Sequence, residues 1–399
     1  MKKTVSKFVM LCVMFVLFAK MGYARQAFAA ENAAKAGTLK ATAKAEDIQK
    51  YGNVVLSLTG EKIKAAGYEY GDVVKVKFLG KTLKVPFISN YSDVDTGKPA
   101  LVVRAGDPYA LLAVNMGDFA TTYGIAVKTV HEDNTIEWNY AEGVKGPVSF
   151  KISLKKAGGY YDEYVLHQLK ASNERTDYPD LTDEQYANFR MIKTTGIGEG
   201  VLYRTSSPIN PKNNRNTYAD AAIKAAGVDV IVNLADDEET ARGYENFDSS
   251  YYATTKFITL NMPVAFSSGE FQKKLAKGLK YIAATPGTYA IHCTEGKDRA
   301  GFASAILECL MGASYDEVID DYMTTFYNYY GVTKDDPRYE AIVKSNIAKT
   351  LKTAFTFKSK DKKRDLATAD LAACAKKYLQ KIGLTNAEIK ALKKNLSGK

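Results

Sequence analysis

The stretch Tyr289-Ala290-Ile291-His292-Cys293-Thr294-Glu295-Gly296-Lys297-Asp298-Arg299-Ala300-Gly301, backed by the apolar run 302–311, decides how this sequence folds. A short apolar run, a tight polar loop and a long apolar run read as strand, turn and helix. A cysteine at the end of a buried strand and an arginine six positions later, at a helix start, wrap the chain around one tetrahedral anion. Successive backbone N–H groups then point inward and the helix N-terminus adds positive potential. Arg299 offers two parallel hydrogen bonds to two phosphate oxygens. The same field stabilises a thiolate at Cys293, and a thiolate set against a bound phosphate is a nucleophile for phosphoryl transfer. Gly296 lets the backbone turn sharply without a Cβ blocking the anion site. The competing explanation is a buried structural cysteine beside an ordinary helix cap; Gly, Lys, Asp and Arg within six residues of the cysteine weigh against it.

Around this segment the chain alternates strand and helix. The run 228–234, interrupted only by Asp229 and Asn233, has the continuous apolar character of a strand buried on both faces. Further strands are expected at 257–260 and 289–291, with a helix over 271–283 that places Phe271, Leu275, Leu279 and Ile282 on one face. Capping boxes at Thr182-Asp183-Glu184-Gln185, Ser314-Tyr315-Asp316-Glu317 and Thr385-Asn386-Ala387-Glu388 mark helix starts. An α/β domain with a central sheet flanked by helices is therefore expected over 170–399. Upstream, 51–155 changes character. Val74, Val76 and Phe78 alternate with lysines, as do Leu83, Val85 and Phe87, and then Val148, Phe150, Ile152 and Leu154, with glycines between the runs. This is a small β-rich barrel or sandwich domain. It contains His131 and no cysteine, so neither a Cys-based nor a His-cluster metal site is expected there. The Ala- and Lys-rich residues 30–50 read as a linker or a frayed helix.

The first 29 residues have the pattern of a secretory signal peptide. Lys2, Lys3 and Lys7 precede an apolar run, and Ala27-Phe28-Ala29 places small residues where a signal peptidase reads. About 12 apolar residues fall short of the ~20 needed to span a bilayer, which favours cleavage over a retained anchor. The expected location is secreted or cell-surface. Loss of this segment removes Cys12 and leaves Cys293, Cys309 and Cys374, an odd number that leaves at least one thiol free. The chain of 399 residues carries 55 basic and 45 acidic groups, a net +10. That excess is not spread evenly. Residues 30–340 hold 35 basic and 41 acidic groups, while 341–399 hold 15 and 4. Nucleic-acid binding by the region around Cys293 therefore has no electrostatic support. The basic C-terminal stretch, with Lys358, Lys360, Lys362, Lys363 and Arg364, reads as a solvated helical surface or as a contact with an anionic membrane or cell-wall polymer.

The segment from His292-Cys293 to Arg299-x-Gly301 resembles the signature of the protein-tyrosine phosphatase superfamily. It is most similar to the bacterial tyrosine and dual-specificity branch, whose loop reads Gly-Lys-Asp-Arg. Two further places look like that branch: Leu202-Tyr203-Arg204-Thr205-Ser206-Ser207-Pro208 leading to 227–234, and Asp320-Asp321-Tyr322-Met323. The likeness covers roughly 170–395. It implies that Cys293 is the nucleophile and Arg299 the clamp on the phosphate and transition state. Thr294, Glu295, Gly296, Lys297, Asp298 and Arg299 would form the phosphate cradle, with His292 a structural partner of the loop. No metal or other cofactor is implied. Many members take the general acid from an aspartate upstream, but 261–270 has none; the likeness then points to Asp298, whose alternative role is to orient Arg299 or cap the helix. Asp236 and Asp237 stand in reserve, and Glu270 behind them. Two features depart from the family. Ala300 stands where a hydroxyl commonly assists the departing thiolate, and Glu295 puts a negative side chain into the loop, where it is expected to point outward. Lys297 is either a contact for multiply phosphorylated substrates or a solvated rim lysine. Cys309 is expected in the core and Cys374 in a C-terminal helix.

A fainter likeness, carried by Asn90-Tyr91-Ser92-Asp93-Val94 and 112–118, connects the β-rich domain with the C-terminal barrel of S-adenosylmethionine hydrolase-type proteins. It implies a binding or positioning role and no activity. Together these readings give an exported cysteine-dependent phosphatase acting through a phosphocysteine on a phosphorylated protein, with a phosphoinositide or inositol phosphate such as phytate as the second substrate class. The alternative of another class is a catalytically silent phosphate-binding or surface-attachment protein, signalled by Ala300 and the missing upstream aspartate. Sulfur transfer by the reactive cysteine fits the Gly-Lys-Asp-Arg loop less well.

Overall fold

The computed structural model describes residues 36–357 and 364–399, so the signal-peptide region and Lys358, Lys360, Lys362 and Lys363 lie outside the described residues. The chain divides into two compact units, Met1–Leu169 and Lys170–Lys399.

In the first unit, seven strands form one sheet: β1 (Leu39–Ala43), β2 (Val54–Val55), β3 (Val73–Phe78), β4 (Lys81–Ile88), β5 (Pro99–Val102), β6 (Leu111–Val114) and β9 (Val148–Lys156). Their order is β1-β9-β3-β4-β5-β6-β2, and β7 (Ala126–Val130) pairs with β8 (Ile136–Tyr140) as a separate hairpin. The sheet bends round until its edges nearly meet. Ser57, just past β2, donates its N–H to the Thr42 carbonyl of β1 at 2.8 Å, and the Thr42 N–H donates to Ser57 Oγ at 2.8 Å. A nearly closed barrel results, which leaves little unpaired edge. The expected alternation holds: Val74, Val76 and Phe78, Val85 and Phe87, and Val148, Phe150 and Ile152 all point into the core. The reading of 30–50 as a linker is corrected over 36–50, residues 30–35 lying outside the described residues. Residues 39–43 are a strand paired along its length with β9, and Ala41 and Ala43 face the core. Alanine contributes little apolar contrast and has low strand propensity, so the alternation in Leu39-Lys40-Ala41-Thr42-Ala43 is masked in the sequence and revealed only by the partner strand.

The second unit holds a five-stranded sheet of order β10-β11-β14-β12-β13, comprising β10 (Arg190–Met191), β11 (Leu202–Thr205), β12 (Val230–Asn233), β13 (Lys256–Thr259) and β14 (Tyr289–His292). β11, β14, β12 and β13 run parallel, and β10 joins antiparallel at one edge. Numbering helices through this unit, α1 (Asp183–Tyr186), α2 (Asn216–Ala225), α3 (Glu238–Arg242), α4 (Gly269–Ala284), α5 (Asp298–Met311), α6 (Tyr315–Tyr330), α7 (Tyr339–Ser345), α8 (Ile347–Phe355), α9 (Leu371–Lys381) and α10 (Asn386–Leu396) complete it. All three capping boxes read from the sequence are formed. α5 is buried along nearly its whole length, which explains why its sequence is apolar all round instead of amphipathic. Register positions the site. Thr205, Asn233 and His292 lie side by side at the carboxyl ends of β11, β12 and β14. The loops that follow those strands therefore converge at one edge of the sheet, where open α/β sheets bind ligands.

Candidate active site

Cys293 follows β14 directly and is 3% exposed. From it the chain makes the tight loop 293–297 and enters α5 at Asp298. The four carbonyls from Thr294 to Lys297 are each held from outside the loop. Thr294 O accepts from the Ser207 N–H at 3.1 Å. Glu295 O accepts from Asn188 Nδ2 and from the Tyr329 hydroxyl, both at 3.0 Å. Gly296 O accepts from Arg204 Nε at 2.8 Å, and Lys297 O from Arg204 Nη2 at 2.9 Å. Because a trans peptide points its C=O and the next N–H in opposite directions, these anchors turn the N–H groups of Glu295, Gly296, Lys297 and Asp298 toward the inside of the loop. Among the described residues no protein acceptor takes the N–H of Glu295, Gly296 or Lys297. The N-cap of α5, Lys297, supplies no side-chain cap, so the first helical N–H groups also face the loop. Four or more donors and a helix N-terminus thus converge above Cys293, an arrangement that holds a tetrahedral oxyanion.

Gly296 adopts φ +70°, and a Cβ there would lie 2.3 Å from Thr205 O. Both the left-handed backbone and the close approach of β11 require glycine. Arg299, one residue into α5, sends Nη1 to Met262 O at 3.0 Å and Nη2 to Thr294 Oγ1 at 3.2 Å. Its Nε is buried and has no partner among the described residues, so a donor remains for a ligand at the loop. His292 is buried behind the loop, with Nδ1 3.3 Å from Cys293 O and its ring edge-on to Tyr252. Burial, opposed by the charge of Asp236, lowers its pKa to about 4, so the imidazole is neutral near pH 7.

The candidate acids separate clearly. Asp298 sits at the first position of α5 beside Lys297, Arg204 and Arg299; burial pushes its carboxyl up, while Lys297 and the two arginines pull it down and Glu295 adds to the rise. The net shift is upward, toward the protonated acid that donation requires. Asp237 instead caps α3, accepting the Thr240 N–H at 2.8 Å, and hydrogen bonds from the Thr240 side chain and then from its N–H lower its pKa. Asp236 accepts from Asn233 Nδ2 at 3.0 Å and the Tyr244 hydroxyl at 3.2 Å. Glu270 pairs with Lys274 on the surface of α4. Glu295 and Lys297 occupy each other: Lys297 Nζ lies 2.7 Å from Glu295 Oε2 and donates to the Tyr330 hydroxyl at 2.9 Å. Burial alone would lower the Lys297 pKa, but Asp298, Tyr330 and Glu295 more than offset it and raise it. Ala300 is fully buried, as are Cys309 and, nearly so, Cys374; the three described cysteines are unpaired. Arg364, the described member of the basic cluster, donates to Cys374 Sγ at 2.8 Å.

Sequence reasoning noticed the segments containing Arg204 and Asp321 but gave neither residue a role. A charged residue inside an apolar strand is a usable signal for Arg204, since a buried guanidinium must be paired. Asn188, in left-handed backbone at φ +54°, carried no such signal.

A parallel sheet whose strand ends present a cysteine, an arginine and a loop of inward N–H groups defines a cysteine-phosphatase-like α/β domain. The chain belongs to the tyrosine phosphatase family, whose profile matches residues 183–398. Residues 45–132 match the profile of the SAM hydroxide adenosyltransferase C-terminal domain, the likeness expected for the barrel. Among solved structures, an uncharacterized conserved protein from Thermotoga maritima is 19% identical, with 29% of this chain and 35% of that chain aligned at a TM-score of 0.22. The core catalytic domain of PP-IP phosphatase SIW14 from S. cerevisiae, in complex with citrate, is 19% identical, with 40% of this chain and 91% of that chain aligned at a TM-score of 0.25. The chain thus spans about a third of the length of the first. No curated protein matches it.

Proposed function

We propose that this chain is an exported cysteine-dependent phosphatase that hydrolyses phosphate monoesters of proteins, phosphotyrosine first and phosphoserine or phosphothreonine with it. The observation that carries the proposal is the loop 293–297, in which outward-held carbonyls aim the N–H groups of Glu295, Gly296, Lys297 and Asp298 at one point above Cys293. A phosphate seated there receives hydrogen bonds on its non-bridging oxygens from these donors and from Arg299. The Cys293 thiolate attacks phosphorus, and the bond from phosphorus to the substrate oxygen breaks as that oxygen takes the proton of Asp298. Water then attacks the phosphocysteine, gives a proton to the Asp298 carboxylate, and releases phosphate and the thiolate. Without a hydroxyl at position 300 the departing thiolate relies on the loop N–H groups, so the second step is the slower one. The mutual engagement of Lys297 and Glu295 leaves this lysine already neutralised, which favours a single phosphate over an inositol polyphosphate. Export rests on the pattern of residues 1–29.

The test is phosphate release from an aryl phosphate, abolished in Cys293→Ser. Absence of any Cys293-dependent release would leave the silent phosphate-binding alternative. A turnover panel of a phosphotyrosine peptide, a phosphoinositide and phytate ranks the substrate classes, and a preference for phytate would overturn the assignment to protein substrates.

A further inference from the structure

The anchors of the loop are connected to one another. Glu295 O is held by Asn188, whose Oδ1 accepts from Arg190 Nη1 at 2.9 Å. Arg190 Nε donates to Asp321 Oδ1 at 2.7 Å, and Asp321 Oδ2 accepts from Arg204 Nη1 at 2.7 Å. Arg204 returns to the loop at Gly296 O and Lys297 O. The circuit leaves the loop at one peptide and re-enters it at the next, drawing on the turn before β10, on β10, β11 and α6. Arg204 is fully buried and the Arg190 and Asp321 side chains are 13% and 8% exposed, so little solvent competes with these bonds. Gly301, on the first turn of α5, has no Cβ because one would lie 2.4 Å from Arg204 Nη2 and 2.7 Å from Tyr322 Cε2. The backbone of α5 is thereby seated directly on the guanidinium.

Converging N–H dipoles repel one another, so a loop that presents several of them in one direction relaxes unless its carbonyls are held. We propose that Asn188, Arg190, Arg204 and Asp321 are positioning residues that lock the loop in its anion-receiving form before any anion arrives. None of them is asked to touch the substrate; each of the three nitrogens of Arg204 donates to a loop carbonyl or to Asp321. Two guanidiniums and one carboxylate also leave a net positive charge behind the cradle. Glu308 of α5 does not cancel it: the carboxyl is buried, neither oxygen has a hydrogen-bond partner among the described residues, and burial together with Asp321 raises its pKa well above the usual value against the pull of Arg204 and Arg190.

The inference rests on the phosphatase reading only for its turnover readout; the anion readout is independent of it. The full chain, in a Cys293→Ser background so that no turnover intervenes, is titrated calorimetrically with tungstate, and the same ring variants are assayed for kcat and KM on an aryl phosphate in the Cys293 protein. Measurements are made well below each variant's melting temperature, where a purely structural loss does not reach the loop. Asp321→Asn is expected to weaken tungstate binding at least ~10-fold and to lower kcat/KM about 100-fold, mainly through kcat, because misplacing the cradle by about 1 Å is costly to the transition state. Tyr329→Phe, which deletes a second donor to Glu295 O and leaves the ring closed, is expected to lose less than ~5-fold. Folded Asp321→Asn that binds tungstate as tightly as its parent overturns the proposal. If Asp321→Asn does not fold, Arg190→Lys takes its place, keeping the charge and losing the fork; a loss of at least ~5-fold in tungstate affinity supports the ring and an unchanged affinity overturns it. Weakened tungstate binding without Cys293-dependent turnover would remove the phosphatase and keep the ring; normal turnover with unmoved tungstate affinity would do the reverse.

Discussion

Replacing Gly296 by alanine tests the geometry at its tightest point. Gly296 has φ +70°, and an added Cβ would lie 2.3 Å from Thr205 O, 2.6 Å from Thr205 C and 2.9 Å from Asn188 Nδ2. The left-handed backbone alone costs an alanine ~1–2 kcal/mol. The clash is with backbone at the end of β11, which is paired with β14 and cannot retreat, so the loop must move away by about 1 Å, adding ~1–3 kcal/mol of overpacking strain. The sum is about 3 kcal/mol, which for a unit of this size corresponds to a fall of roughly 6–12 °C in melting temperature. The displacement pulls Gly296 O off Arg204 and swings the Lys297 N–H out of the cradle, so kcat/KM on an aryl phosphate should drop at least ~100-fold. Thermal melts followed by circular dichroism and initial-rate kinetics on the same preparation measure both quantities. A folded Gly296→Ala protein with wild-type kcat/KM would refute the claim that these N–H groups hold the phosphate, and an unchanged melting temperature would refute the close approach of β11 to the loop.

Three further outcomes follow from the ionisable groups. Glu308→Gln imitates the neutral acid and should keep kcat/KM within ~2-fold of the parent. Because folding raises the pKa of Glu308, its contribution to wild-type stability is complete below the ordinary carboxyl value near 4.3 and is lost as pH rises through the raised value. Denaturant unfolding at pH 5 and pH 8 should therefore show the glutamine variant gaining on wild type at the higher pH, and equal slopes for both proteins would show an ionised Glu308 in the fold. His292 has the opposite sign: its pKa is lowered to about 4, so the stability it lends is present above ~6.5 and is lost at up to ~1.4 kcal/mol per pH unit as pH falls toward 4; His292→Gln should flatten that acid limb, and an unaltered limb would place the titration elsewhere. Asp298→Asn should depress kcat/KM, which reports only formation of the phosphocysteine, ~10²-fold or more on alkyl phosphates while sparing kcat/KM on aryl phosphates with good leaving groups, and equal losses on both would reassign Asp298 to the orientation of Arg299.

What the sequence disclosed was local. Strand, loop and helix from Tyr289 to Met311 follow from adjacent residues, as do the capping boxes and the alternating strands of the barrel, because period and cap chemistry act over a few positions. The hidden strand Leu39–Ala43 shows the limit: its alanines carry too little contrast, and only pairing with β9 more than a hundred residues away assigns them a face. The charges of the site show the same limit. Glu295 and Lys297 looked like separate liabilities or contacts, but their side chains meet at 2.7 Å. Asp237 stands in reserve behind Asp298 on paper, and the start of α3 claims it as a cap.

By itself, then, the sequence determined that a cysteine and an arginine would bracket a tight loop ahead of a buried helix, since that spacing is covalent and the helix start is chemical. Only the tertiary structure decided which way the peptides of that loop face. Their orientation is set by Asn188, Arg204 and Tyr329, which lie 107, 92 and 34 residues away from the carbonyls they hold at Glu295 and Gly296. A peptide plane has no preference of its own between its two faces until donors from elsewhere in the fold take one of them.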